Sequence, residues 1–171
     1  MQKSPHEIMT KDMTRAMDIM SSDFRVIYPD ETIRKAIELL NRNHTTDVPV
    51  TDRDGVFLGI LSEKDILKTC HFLDMKNPKA LDKLIRFRKK VITVRRKASI
   101  QKIRGLLISN SQRQIPVINN KGLLKGIISR RDLLRVIYLR SELLRKKSLK
   151  LKKLSKTKDA ANMGKVSSNE L

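Results

Sequence analysis

The chain has 171 residues, with 38 Lys and Arg against 18 Asp and Glu and a formal net charge of +20. That charge suits anions such as nucleic acid, nucleotides, acidic lipids or acidic proteins, while a hydrophobic share of 39% is enough to bury a core and excludes a wholly disordered chain. The lone Cys70 excludes a disulfide framework within one chain and a multi-cysteine zinc site, and fits a reducing compartment.

Residues 1–12 are polar, carry Glu7 and Asp12 and lack the apolar centre of a signal peptide. No apolar run is long enough to span a bilayer, so the expectation is a soluble, cytoplasmic protein. Met9, Met13, Met17 and Met20 recur every three or four residues, the pattern of a packing face on an N-terminal helix. Residues 24–28 are β-prone. Pro29-Asp30-Glu31-Thr32 then turns the chain and offers Asp30 or Thr32 as a helix N-cap. Ile33, Ala36, Ile37 and Leu40 fall on one helical face. Residues 47–51 predict a strand whose internal Pro49, lacking an N–H, belongs at an edge or a non-pairing position. Asp52-Arg53-Asp54-Gly55 reads as a hairpin turn, 56–61 as a third strand, and Ser62 as the cap of a helix from Glu63 to about Cys70.

The same pattern returns further on. Sliding the chain by 67 residues places Ile33 on Ile100, Lys35 on Lys102, Leu39-Leu40 on Leu106-Leu107 and Asn43 on Asn110. Pro49-Val50 falls on Pro116-Val117, Gly55 on Gly122, Gly59-Ile60 on Gly126-Ile127, Ser62 on Ser129 and Asp65 on Asp132. The order β-α-β-β-α therefore repeats at 91–94, 99–109, 114–118, 123–128 and 129–145. Ser99 caps the first helix of this copy, and Arg104 stands where Ile37 stood. A short helix is expected at 80–87 in the connection. Either unit alone, at about 55 residues, buries too little surface to be secure. Packed sheet to sheet, each covers the apolar face of the other. The organisation read from this is a segment 1–12, a first repeat 13–70, a linker 71–85, a second repeat 86–140 and a basic helical or disordered tail 141–171. The fold class is α+β: two βαββα repeats with pseudo-two-fold symmetry plus a basic C-terminal helical extension.

Asp18-Ile19-Met20-Ser21, Val48-Pro49-Val50 and Gly59-Ile60-Leu61-Ser62-Glu63-Lys64-Asp65 carry a family resemblance, as do Ile115-Pro116-Val117 and Gly126-Ile127-Ile128-Ser129-Arg130-Arg131-Asp132. Over roughly residues 13–140 the chain resembles a tandem cystathionine-β-synthase (CBS) domain pair, or Bateman module. The resemblance implies adenosine-containing ligands (AMP, ADP, ATP or S-adenosylmethionine) bound in clefts between the units. It also implies a disc-like homodimer and regulation of a partner.

The motif chemistry agrees with that implication. Ser62 with Asp65, and Ser129 with Asp132, lie three apart on a first helical turn, where a hydroxyl and free N–H groups suit a phosphate and a carboxylate suits ribose hydroxyls. Each pair is also an ordinary capping pattern. Gly59 and Gly126 are expected to let the backbone approach the ligand. The backbone at Asp47-Val48 and Gln114-Ile115, next to ladder-interrupting Pro49 and Pro116, is expected to read the adenine edge. Lys64, Arg130 and Arg131 are expected to neutralise phosphates. Glu63 and Asp47 oppose a polyphosphate in the first cleft, whereas Arg95-Arg96-Lys97 enters the second. The second cleft is therefore expected to be preferred, and to take the more phosphorylated ligand.

No Walker-type loop, Cys/His pair or base beside a nucleophile is found, so a non-enzymatic module is expected. His6, His44 and His71 lack metal-ligand spacing and no metal site is expected, although His44 stands close enough to the second strand to touch a ligand. Cys70 reads as a structural thiol. From Arg140 to Lys158 nine Lys and Arg face the single acidic Glu142, with leucines interleaved. This tail is either a solvated helix with a disordered end at 159–171, or a docking segment for nucleic acid, an anionic surface or an acidic protein. Few aromatics leave any nucleic-acid contact nonspecific. The leading reading is a stand-alone regulatory module for an adenosyl ligand. The alternative is a polyanion-binding protein acting through its tail. An enzyme assembled at a dimer interface ranks third.

Overall fold

A computed structural model describes residues 14–42, 45–70, 81, 84–110 and 112–166, with side chains as far as 151. The elements are α1 (Ala16–Ile19), α2 (Ile33–Arg42), β1 (Asp47–Thr51), β2 (Phe57–Ser62), α3 (Glu63–Thr69), β3 (Val94–Arg95), α4 (Ile100–Ser109), β4 (Gln114–Ile118), β5 (Leu124–Ser129) and α5 (Arg130–Val166).

The repeat in the sequence is a repeat in hydrogen bonding. β1 pairs antiparallel with β2 from Asp47 opposite Ser62 to Thr51 opposite Phe57, and β4 pairs with β5 from Gln114 opposite Ser129 to Ile118 opposite Leu124. The register slips once in each, after Val50 and after Val117. β3 runs parallel to β4, with Val94 beside Val117. The matching pair in the first unit is a single bridge, Ile27 beside Val50, so the strand expected over 24–28 shrinks to one residue. Pro49 fits inside this ladder because its carbonyl accepts the Ile27 N–H and no bond is asked of its nitrogen.

Both hairpin turns use a short polar side chain and a glycine. Asp52 Oδ1 accepts the Val56 N–H at 2.7 Å, and Asn119 Oδ1 accepts the Leu123 N–H at 2.9 Å. Gly55 and Gly122 adopt φ of +83° and +79°, which side-chain-bearing residues rarely tolerate. The two turns then pair with one another: Phe57 N donates to Gly122 O and Leu124 N to Gly55 O, both at 3.0 Å. This contact lies on the pseudo-two-fold axis.

The lead segments are exchanged. Ser21 bonds Ile127 in both directions, at 2.9 and 3.0 Å, and Arg88 does the same with Ile60 of the first unit. Residues 21 and 88 are 67 apart, so the exchange obeys the repeat. Ala16 and Ile19 consequently join Val94, Ile103, Leu107, Ile115, Val117, Ile128, Leu133 and Val136 in the core of the second unit. Ile85 joins Ile27, Ile33, Ala36, Leu40, Val48, Val50, Leu61 and Ile66 in the first. Each Val, Leu or Ile side chain among them contributes about 1.5–3 kcal/mol on burial. The helix expected over 80–87 is corrected for residues 84–87, while Leu81 lies in a 3-10 turn. Residues 84–88 bridge Thr32 and Ile60 instead, because strand pairing and burial of Ile85 outweigh local helical preference. Residues 80, 82 and 83 lie outside the described residues.

In α2 the expected apolar face is buried at Ile33, Ala36 and Leu40, and Thr32 Oγ1 caps the helix by accepting the Lys35 N–H. In α4, Ile103 and Leu107 are buried while Arg104 is exposed. α5 inserts Leu133 and Val136 into the second core and then leaves it, exposing Leu144, Leu149 and Leu151.

Candidate functional site

Each β-hairpin ends in a serine that caps the next helix. Ser62 Oγ accepts the Asp65 N–H at 3.2 Å, and its own N–H donates to Asp65 Oδ2 at 2.9 Å. Ser129 and Asp132 repeat this at 3.3 and 2.7 Å. Each hydroxyl also donates to its aspartate Oδ2, at 2.5 Å in the first unit and 2.6 Å in the second. Among the described residues the Oδ1 of Asp132 makes no hydrogen bond, so a carboxylate oxygen is left for a further donor.

A cavity of about 410 Å³ opens beside Ser129 and Asp132, lined also by Ser21, Asp23, Phe24, Arg25, Thr45, Asp47, Val48, Pro49, Gln114 and Ile127. It is therefore a seam between the units. Gln114 Nε2 donates to Thr45 Oγ1 across it at 3.3 Å. A second cavity, of about 450 Å³, opens beside Ser62 and Asp65 and is lined by Thr46, Asp47, Glu63, Lys64, Leu67, Lys68, Arg88 and Arg113.

The two cavities differ at the equivalent positions 88 and 21. The Arg88 guanidinium stands 3.4 Å from Asp65 Oδ2 and 3.7 Å from Asp47 Oδ1. Ser21 occupies the corresponding place in the other cavity. Asp47 lines both cavities and its side chain is 8% exposed. Burial pushes its carboxyl above the usual carboxylate range, against the Thr46 hydroxyl and the charges of Arg88 and Arg113, with Asp65 adding a smaller push upward.

The family model for the CBS domain matches residues 16–71 and 84–139. The chain belongs to the CBS-domain family. The protein MJ1426 of Methanocaldococcus jannaschii is 28% identical over 145 residues, covering 66% of this chain and 84% of that one. Homoserine O-acetyltransferase of Methanococcus vannielii is 31% identical over 113 residues, which cover 66% of this chain and only 22% of the enzyme. Among solved structures, CBSX2 of Arabidopsis thaliana in complex with AMP matches with a TM-score of 0.64 and 25% identity, covering 72% of this chain and 96% of that one.

The CBS pair brings together most of the residues singled out in the sequence, in an arrangement the sequence did not show. Asp47, Ser62, Lys64 and Asp65 line the first cleft. Asp47, Val48, Pro49, Gln114, Ser129 and Asp132 line the second. Val48 and Pro49 thus belong to the first repeat but face the motif of the other. Ile115 and Pro116 are buried and line neither cleft. Neither do Arg130 and Arg131: both are exposed, and Arg130 Nε donates to the Leu107 carbonyl at 3.2 Å. Arg95, Arg96 and Lys97 are likewise absent from the lining of the second cleft, whose charged residues are Arg25, Asp23, Asp47 and Asp132.

Gly59 and Gly126 also have a different reason. A Cβ on Gly59 would lie 2.2 Å from the Arg88 carbonyl oxygen, and one on Gly126 would lie 2.7 Å from Met20 Sδ. The close approach is made by the exchanged segments of the chain itself. Arg88, Ser21, Asp23, Arg25 and Thr45 were missed in the sequence. The pairing of 21 with 88 lies twelve residues before the first identity of the repeat, Ile33 with Ile100. His44, His6 and His71 lie outside the described residues, and so do Met9 and Met13. Among the described residues no group of three or more His, Cys, Asp or Glu side chains could hold a metal ion. No described helix is long and apolar enough to cross a membrane.

Proposed function

We propose that this CBS pair is a regulatory module that binds an adenosine-containing ligand such as AMP, ADP, ATP or S-adenosylmethionine in the cleft at Ser129 and Asp132, and passes binding to a partner as a change of conformation. The observation that carries the reading is the cavity of about 410 Å³, in which a hydroxyl and a carboxylate with an unused oxygen meet the backbone of β1 from the other repeat. Asp132 Oδ1 accepts from a ribose diol. The Ser129 hydroxyl turns from its aspartate to a phosphate oxygen. The segment around Pro49, where the ladder lacks an N–H, meets the base. CBSX2, with AMP bound, supports this choice of ligand class. A ligand in this seam touches both repeats, so binding biases their relative arrangement. The reading asks no catalysis of the chain.

Thermal unfolding with AMP, ADP, ATP and S-adenosylmethionine tests it. At a hundredfold excess over the dissociation constant a bound ligand adds about 2.7 kcal/mol of stability. At least one of the four is expected to raise the midpoint, and Asp132→Ala to abolish the rise. No rise with any of them overturns the reading.

A further inference from the structure

We infer that Arg88 makes the two clefts unequal: its guanidinium is a resident counter-ion for the carboxylate that would receive a ribose diol in the first cleft, so a nucleoside enters only the second. The inference rests on the adenosyl reading above and adds which cleft is open and what closes the other.

Three observations carry it. The repeat superimposes Arg88 on Ser21, and both are fixed by the same pair of backbone hydrogen bonds, to Ile60 and to Ile127. The difference between the clefts at this point is therefore a difference of side chain. The Arg88 side chain reaches over two acidic groups, with Nε 3.4 Å from Asp65 Oδ2 and Nη2 3.7 Å from Asp47 Oδ1. Its Nε is buried without a hydrogen bond although the side chain as a whole is 41% exposed, so Nε is the part of the group turned into the cleft. In the second cleft the same place holds a serine hydroxyl, and Asp132 meets no cation within ion-pair distance among the described residues. A diol arriving at Asp65 must displace a guanidinium that two carboxylates retain, and takes from Asp65 the cation that stands within ion-pair distance of it. A diol arriving at Asp132 displaces nothing charged.

Isothermal titration of the full chain with AMP, ADP, ATP and S-adenosylmethionine tests this. The wild-type chain is expected to take one molecule. Asp132→Asn loses it and Asp65→Asn keeps it. Arg88→Ser, which copies the residue found at the same place in the other cleft, takes two. A wild-type chain that takes two, or an Arg88→Ser chain that still takes one, overturns the inference and leaves the adenosyl reading standing. Absence of binding by both chains overturns the adenosyl reading and the gate with it. NMR of the Arg88 Nε–H reads the side chain without ligand: its signal is expected to move in Asp65→Asn and stay in Asp132→Asn. A signal indifferent to Asp65→Asn overturns the gate by itself.

Discussion

Asp47 is held in a position that its own charge resists. Its carboxyl is raised because burial outweighs the Thr46 hydrogen bond and the nearby guanidinium groups of Arg88 and Arg113. A carboxyl raised in the folded state binds its proton more tightly there than in the unfolded chain. The stability attached to it is therefore complete below the ordinary carboxylate pKa and falls away as pH rises through the raised value. Asp47→Asn, which can still accept the Thr46 hydrogen bond, is expected to be more stable than the wild type at neutral pH. It should also have a flatter dependence of denaturant midpoint on pH through mild acid. An unchanged profile would count against burial as the dominant influence. Two glycines give the opposite pair of results. Gly59→Ala pushes a methyl into the Arg88 carbonyl and should cost about 1–3 kcal/mol. Gly105→Ala, on α4 with nothing within 4 Å, should gain about 1 kcal/mol from helix propensity. Denaturant midpoints of the two variants should move in opposite directions.

At the level of elements, what was legible in the sequence was what depends on neighbours along the chain. The face Ile33, Ala36, Leu40 predicted α2, the turns at Gly55 and Gly122 followed from their residue types, and Ser62 and Ser129 capped the helices they precede. The strand over 24–28, and the expected helix where it covers 84–87, failed for a common reason. Residues 27 and 84–88 take their conformation from partners far along the chain, Val50, Thr32 and Ile60, and no local periodicity encodes those partners. The cleft was legible as a list of motif residues, but its composition was not. The exchange of lead segments carries Ser21 to the second motif and Arg88 to the first, and only the fold shows that Gly59 and Gly126 make room for them.

For the whole molecule the exchange means that neither repeat owns a complete core. Ala16 and Ile19 lie in the cluster around Val117, and Ile85 in the cluster around Val50. Ile19→Ala should cost about 2–5 kcal/mol. The cost should be felt by both repeats at once: hydrogen exchange in β1 and in β4 should accelerate by the same factor, and calorimetry should show one transition. Two separate transitions would show that the repeats hold themselves together independently. A chain made from its N-terminus on a ribosome meets this arrangement in a particular order. The strands of the first repeat are synthesised long before Ile85 and Arg88 exist to finish them, while Ala16 and Ile19 wait for a core not yet translated. The nascent polypeptide therefore cannot complete its first half as a finished domain, and Ala16 and Ile19 are open to chaperones until the second repeat has emerged.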